Sequence, residues 1–185
     1  MSEIGGSPSR FSSKQSSEIA PGVTVRAAVP ADVSMLLSMR RQLAISQNAE
    51  FAMRATEKDW LRDGFGLAAR FTAFVGEYRG VAAGMLTYSQ HYYTGWAGSA
   101  LYVQDVYVDP QFRGRGIARA LLARVAADAV ALECPLVELT VHDESPATRV
   151  YGRAGFERVQ HAAAYILAGT ALIQLASEAS PSDQS

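Results

Sequence analysis

Residues Leu101–Arg119 read LYVQDVYVDPQFRGRGIAR, and the change of character inside this stretch decides the fold. Leu101–Val108 is rich in Val, Leu and Tyr, the signature of a buried or half-buried strand. Asp109-Pro110 ends it, because proline cannot donate to a sheet ladder. Gly114 and Gly116 then alternate with Arg113 and Arg115, and Ile117–Leu132 has a helical pattern. Glycines and cations thus sit where a strand turns into a helix. The first N–H groups of a helix have no internal partner, and the helix dipole places partial positive charge there. Glycine lets backbone approach a ligand closely. Backbone donors, dipole and guanidinium groups together suit an anion such as a pyrophosphate. Taken alone, Arg-Gly-Arg-Gly could equally be a solvated basic turn.

The surroundings of this loop bound what it can serve. The 185 residues are enough for one domain with a real core, and 49% hydrophobic against 19% charged residues fits a globular protein. A formal net charge of −1 argues against general affinity for nucleic acid or anionic membranes, so anion binding must be local. No apolar run reaches the roughly 18 residues of a membrane span, and the N-terminus lacks the apolar core of a signal peptide. The single cysteine, Cys134, excludes an internal disulfide framework and a multi-cysteine zinc site. A cytoplasmic setting is expected.

Outward from the loop, residues 1–20 are rich in Ser and Gly and read as a disordered tail, as do residues 179–185, leaving one domain over 21–178. Val23–Ala28 is the first strand. Pro30-Ala31-Asp32 opens a helix to about Ser46, with Val33, Leu36, Leu37, Arg40 and Leu43 near helical spacing. Thr56, with Asp59 three residues on, caps a short helix to Arg62, which Asp63-Gly64-Phe65-Gly66 breaks. Phe71–Gly76 and Val81–Tyr93 form a hairpin turned near Tyr78-Arg79-Gly80. Leu136–His142 is a second core strand, Pro146–Arg153 a short helix stopped by Gly155. Phe156–Gln160 and Ala164–Leu167 read as final strands, and Gly169–Glu178 as a terminal helix. Hairpins followed by a helical crossover imply an α/β (α+β) domain with one mixed, mostly antiparallel sheet flanked by helices.

QFRGRG at Gln111–Gly116 resembles the Q/R-x-x-G-x-G/A loop of the GNAT acyl-CoA N-acyltransferases. SPATRVYGRAGF at Ser145–Phe156 is similar to that family's later helix, with its Tyr and Gly-Phe ending. The resemblance covers roughly 23–175. Thr56–Gly66 (TEKDWLRDGFG), Tyr92-Tyr93-Thr94 and Trp96 resemble the diamine (spermidine/spermine) and thialysine acetyltransferase branch. Four departures stand out. Gln104-Asp105 replaces a frequent Glu-Asp, Thr94 an acid, Ile45-Ser46-Gln47 a Tyr-Glu, and Glu144 an Asn. The lost acids weaken the case for a polycationic substrate.

The resemblance implies transfer of acetyl from acetyl-CoA to a primary amine by direct attack, without a metal. The amine must be neutral, although a lysine-like amine has a pKa near 10.4. A proton acceptor, an oxyanion donor and an acid for the thiolate are therefore needed. By resemblance, Tyr151 is that acid; on the residues alone it could be a packed aromatic. Val106, Tyr107 and Val108 would present backbone to the pantetheine arm, the Val106 amide serving the thioester carbonyl. Gln111, Arg113, Gly114, Arg115, Gly116, Ile117, Ala118 and Arg119 would cradle the pyrophosphate. Glu144, Pro146 and Ala147 occupy the segment that flanks the coenzyme in relatives, although Glu144 could face outward.

Asp105 is the expected partner of the substrate ammonium, since an acid in an apolar strand demands a partner. An internal arginine or hydrogen-bond partner would serve equally. Strict alternation places Leu101, Val103, Asp105 and Tyr107 on one face, and Tyr102, Gln104, Val106 and Val108 on the other. Gln104 and Trp96 are expected in the same pocket, Trp96 through a cation–π contact or merely as a loop anchor. The base is open between His142 and water relayed by Gln104 or Asp105. His91, His142 and His161 show no metal spacing, and Cys134 before Pro135 reads as buried rather than nucleophilic.

Other readings are a dinucleotide-binding domain, an acyl-CoA-binding module without catalysis, and an enzyme acting on protein lysine or N-terminal amines. Against the first, Arg119 stands where G-x-G-x-x-G needs its third glycine, and the loop follows hairpins rather than a first βαβ unit. The expected partners are a small amine and, from the closer relatives, a second copy in a homodimer, with no nucleic acid or membrane.

Overall fold

Five strands make one sheet in the order β1 (Val23–Ala27), β2 (Thr72–Tyr78), β3 (Val81–Tyr93), β4 (Gly98–Val108) and β5 (Val137–Leu139). The source is a computed structural model, which describes residues 20–95, 97–142, 144–160 and 167–177. The first three pairings are antiparallel and β4–β5 is parallel, so the sheet is mixed and mostly antiparallel, as the order of hairpins and crossover implied. The β2–β3 hairpin turns through Arg79 and Gly80, both at positive φ (50° and 79°), the backbone that a tight two-residue hairpin requires.

Helices cover both faces. A 3-10 turn at Pro30–Asp32 leads into α1 (Val33–Ser46), which packs with α2 (Glu57–Phe65) on one face through Val33, Leu36, Leu37 and Trp60 against Ala73, Val75, Met85 and Tyr107. The helix α3 (Ile117–Ala131) crosses the opposite face, touching every strand. Its seat is a glycine pair: Gly76 and Gly84 face each other in register. A Cβ at Gly76 would lie 2.7 Å from Ile117 Cγ2, and one at Gly84 would lie 2.6 Å from Tyr107 O. The first residue of α3 thereby rests directly on the sheet.

The main departure from the expected pattern lies in β4. Its register against β3 runs Leu86↔Val106 and Thr87↔Asp105, then skips to Tyr88↔Val103, leaving Gln104 as an extra residue. The amides show the same slip. Leu101 N donates to Leu136 O toward β5 (3.2 Å), whereas Asp109 N, an even number of residues on, donates to Ala83 O on β3 (2.9 Å). Such a bulge reverses the alternation beyond it. Asp105 therefore leaves the face of Leu101 and Val103 and joins Tyr102 and Gln104 on the α1–α2 side, which corrects strict alternation. Beyond the bulge, pairing with β5 stops at Val103↔Leu139. The expected second core strand, Leu136–His142, is thus only three residues, all half-buried. Glu138 anchors it to β3 across β4, accepting from Tyr93 Oη (2.7 Å) with His91 Nε2 at 2.9 Å.

Two other expectations are corrected. The capping box forms at Thr56 as expected, with Asp59 N donating to Thr56 Oγ1 (3.3 Å) and Thr56 N to Asp59 Oδ2 (3.0 Å). The helix nevertheless runs past Arg62 through Gly64 to Phe65. The bare Cα of Gly64 meets the Phe71 ring, where a Cβ would come within 2.6 Å, so packing overrides the propensity of glycine to break helices. Residues 156–160 have no strand, and their pattern explains it: Phe156 and Val159 fall on opposite parities, so no single apolar face exists.

The chain divides after Ala154. The first unit holds the sheet, α1–α3 and α4 (Thr148–Ala154); the second begins at Gly155 and holds α5 (Gly169–Ser177). The expected strand at Ala164–Leu167 falls largely on residues outside those described, as do both expected tails apart from Ala20.

Placing a methyl group at Gly76 tests the α3 seat. Gly76→Ala should cost about 1–3 kcal/mol through overpacking against Ile117 and Leu121. Thermal unfolding should show Tm falling by roughly 3–10 °C in a chain of this size.

Candidate active site

Between β4 and α3, Asp109 Oδ1 accepts from Gln111 N (3.0 Å) and holds a 3-10 turn at Pro110–Phe112. Gly114 and Gly116 follow at φ 75° and 86°, in the left-handed region where a side chain is strained. A Cβ at Gly114 would meet nothing within 4 Å, so the backbone there is open to a ligand. Gly116 is the N-cap of α3 and offers no side chain to the first turn. The N–H groups of Ile117, Ala118 and Arg119 therefore keep their donors, with the helix dipole behind them. The Ile117 side chain itself is buried in the core; its contribution to this cradle is backbone.

Each arginine of the loop is tethered. Arg113 Nε donates to Val108 O (3.1 Å), the Arg115 guanidinium lies 4.6 Å from the Tyr78 ring centroid, and Arg119 Nη1 donates to Arg153 O (2.7 Å). A guanidinium has five N–H donors, so each retains donors while its position is fixed. The residues fit a pyrophosphate: a dipole, uncapped amides, an open glycine and three held cations.

The bond from Arg113 to Val108 O shows that Val108 turns its backbone away from β3. Val106, two residues earlier, points the same way. Both amides face the side from which β5 has departed, where an extended pantetheine-like chain could pair as a strand does. Tyr107 lies between them with its ring buried in the α1–α2 core.

Tyr151 sits in α4, which packs on α3. Burial pushes its hydroxyl pKa above the ordinary value near 10, keeping it a proton donor across the neutral range. Ser145 shapes the approach to α4, its Oγ accepting from Ala147 N (3.3 Å) and its carbonyl from Thr148 Oγ1 (2.8 Å). Glu144, Pro146 and His142 are exposed and Ala147 is half-buried. Trp96 lies outside the described residues.

On the other face a cavity of about 320 Å³ is lined by residues that include Arg40, Arg54, Trp60, Thr87, Gln104 and Asp105. The bulge brings Gln104 and Asp105 here together. Asp105 has found internal partners: Arg40 Nε at 2.7 Å from Oδ1, and Thr87 Oγ1 donating to Oδ2 at 3.0 Å. Burial pushes the Asp105 carboxyl up, while Arg40 and Thr87 pull it down. Arg40 is the residue that sequence reasoning passed over. Its signal was visible in a cation on the apolar stripe Val33, Leu36, Leu37, Leu43, since buried cations need partners. Gln104 Nε2 donates to Ser89 Oγ (3.1 Å), leaving Oε1 as an acceptor. Cys134 is buried, as expected. Among the described residues no group of His, Cys, Asp or Glu is arranged to hold a metal.

A family model described as the Acetyltransferase (GNAT) family matches residues 39–156. The chain is 32% identical over 130 residues to thialysine N-epsilon-acetyltransferase of Sus scrofa, covering 65% of this chain and 75% of that protein. It is also 32% identical over 123 residues to the human spermidine/spermine N(1)-acetyltransferase-like protein 1, covering 63% of this chain but only 18% of that longer protein. Among solved structures, an integron cassette protein from V. cholerae superposes with a TM-score of 0.68 at 19% identity, covering 84% of this chain and 98% of that one. The aminoglycoside acetyltransferase AAC(6')-Iy, solved with a bisubstrate analogue of CoA, superposes with a TM-score of 0.62 at 22% identity, covering 80% and 99%. These structural likenesses speak for the fold. Loop, α3 and α4 all lie within the matched segment, and the chain belongs to the GNAT family of acetyl-CoA-dependent N-acetyltransferases.

Proposed function

We propose that this enzyme acetylates the primary amine of a small diamine or lysine-like acceptor bound in the cavity between the α1–α2 layer and β4. The observation that carries the reading is the bulge at Gln104, which turns the Val106 amide outward while turning Gln104 and Asp105 into the cavity. In this reading residues 21–178 form the catalytic domain. Acetyl-CoA supplies an acyl group activated as a thioester. Gln111, Arg113–Gly116 and the first amides of α3 at Ile117, Ala118 and Arg119 hold its pyrophosphate, and Val106–Val108 hold the extended arm. Glu144, Pro146 and Ala147 flank it.

The Val106 N–H donates to the carbonyl oxygen, where negative charge builds during attack. Asp105 and Gln104 Oε1 orient the amine, and water beside them accepts its proton. Tyr151 protonates the departing sulfur. A thiolate has a parent pKa of about 8.5, so it needs only a modest acid. A cavity of about 320 Å³ has room for a small amine. Cytoplasmic residence, which a single cysteine suits, and homodimer assembly, which the resemblance to the diamine and thialysine branch implies, complete the proposal.

The testing experiment is thiol release from acetyl-CoA with putrescine, spermidine, lysine, thialysine and a lysine peptide. Turnover of a small amine is expected; acetyl-CoA binding with turnover of the peptide alone, or of nothing, would overturn the reading. Gly114→Val should weaken coenzyme binding at least tenfold, because the new side chain fills the open cradle and strains a φ of 75°. Circular dichroism should show the variant folded; a parent-like Kd would sink the loop assignment.

Tyr151→Phe should lower kcat by about 10²-fold with the coenzyme Kd near the parent value. The protonated hydroxyl is the working form and burial raises its pKa. The alkaline fall in kcat that Tyr151 causes should therefore lie above pH 10, and it should vanish in the phenylalanine variant.

A further inference from the structure

We infer that Arg79, at the turn of the β2–β3 hairpin, joins Arg115 in a separate subsite for the ribose 3′-phosphate of coenzyme A, a phosphate monoester. This rests on reading the Gln111–Gly116 loop as the pyrophosphate cradle and adds a second anion site beside it. Both guanidinium groups lie against one aromatic ring, Arg115 at 4.6 Å and Arg79 at 5.3 Å from the Tyr78 centroid. Phe112 packs on the same ring with centroids 6.2 Å apart, so the loop is joined to the hairpin at two points. Arg119, by contrast, is drawn toward α4 through Arg153 O. The cradle therefore has a cationic flank on its β2 side that the pyrophosphate reading does not use.

These two cations are held in place with their N–H donors uncommitted. Among the described residues neither guanidinium donates a hydrogen bond or pairs with an acid. The neighbouring acids are engaged elsewhere: Glu77 accepts from Arg26 Nε (2.8 Å) and Thr24 Oγ1 (3.2 Å), and Asp109 from Gln111 N (3.0 Å). A phosphate monoester carries close to two negative charges at neutral pH and three acceptor oxygens, which suit guanidinium forks. The backbone of Arg79 adds an independent observation. Its φ is 50°, in the left-handed region that a two-residue hairpin turn fills best with Asn or Gly. The strained arginine is nevertheless accommodated: Arg79 N donates to Gly22 O (2.7 Å), and a Cβ on Gly22 would lie 3.2 Å from Arg79 Cγ. The turn alone would be better served by asparagine; what arginine adds is a cation beside the loop.

The test is calorimetric titration with coenzyme A and with 3′-dephospho-coenzyme A, which differ only in this phosphate. The parent should bind coenzyme A tighter by about tenfold or more, the size of one charge-assisted contact. Arg79→Asn should weaken coenzyme A binding by about tenfold and leave the Kd for the dephospho form unchanged. Its Tm should equal or exceed the parent's, because asparagine tolerates the left-handed turn. Stability and affinity thus move in different directions, whereas an arginine that merely packs would leave both Kd values alone. Equal binding of the two ligands by the parent would overturn the inference while leaving the loop assignment intact. So would a full preference for coenzyme A in Arg79→Asn, or an equal loss of both ligands in that variant. Binding of neither ligand by the parent would overturn the loop assignment as well.

Discussion

One extra residue in β4 governs what this sheet can do. A regular strand from Leu101 to Val108 would pair with β3 on one edge and β5 on the other along its whole length, and would bury its amides in ladders. Gln104 interrupts that. The ladder to β3 resumes one position out of phase, the ladder to β5 ends at Val103, and the outward-facing amides become those of Val106 and Val108. The same slip places Gln104 and Asp105 side by side on the α1–α2 face. Bulges re-aim side chains and terminate pairing at the price of a locally broken ladder. Here both effects come from one inserted residue.

In the proposed reading the coenzyme reaches the gap between strands at the height of α3. That height is set by apolar packing rather than by the arginines. Ile117 and Leu121 are fully buried against the paired glycines of β2 and β3, and each such side chain contributes roughly 1.5–3 kcal/mol by leaving water. With α3 seated this low, its uncapped first turn lies beside the end of β4. Arg113 reaches back to Val108 O, and Arg119 ties the start of α3 to the end of α4. Loop, strand end and the helix bearing Tyr151 are thereby held together within one unit.

Much of this was legible in the sequence because it is local. An apolar strand, a Pro stop, two glycines among arginines and a helical run follow one another within Leu101–Leu132, and the structure keeps that order. The bulge was not legible. LYVQDVYV carries apolar residues on both parities, so alternation fits it in either phase. The short β5 follows from the bulge and shares its invisibility, since LVELTVH reads well as a strand wherever a partner exists. The run of α2 through Gly64 depends on Phe71, and residues 156–160 lack a consistent apolar face. The partner of Asp105 is 65 positions away in sequence (Arg40 to Asp105), and no periodicity carries such information. Both alternatives for that carboxylate, an internal arginine or a substrate cation, were open until the packing of α1 on β4 was known.

Asp105 answers both alternatives through its position. It directly follows the bulged residue and sits opposite Thr87 in register, which binds one of its oxygens while Arg40 from α1 binds the other. Two elements thus clamp the C-terminal side of the bulge. Breaking a pair of this kind by removing one partner costs about 3 kcal/mol, because the other charge is left without compensation. The carboxylate is pushed up by burial and pulled down by its partners, so its ionised state depends on Arg40 staying in place. A substrate entering the cavity meets the pair as a unit. An ammonium alone would compete with Arg40 for Asp105 and loosen the clamp that shapes the bulge. The packing of α1 on β4 and the charge on Asp105 therefore depend on the same contact.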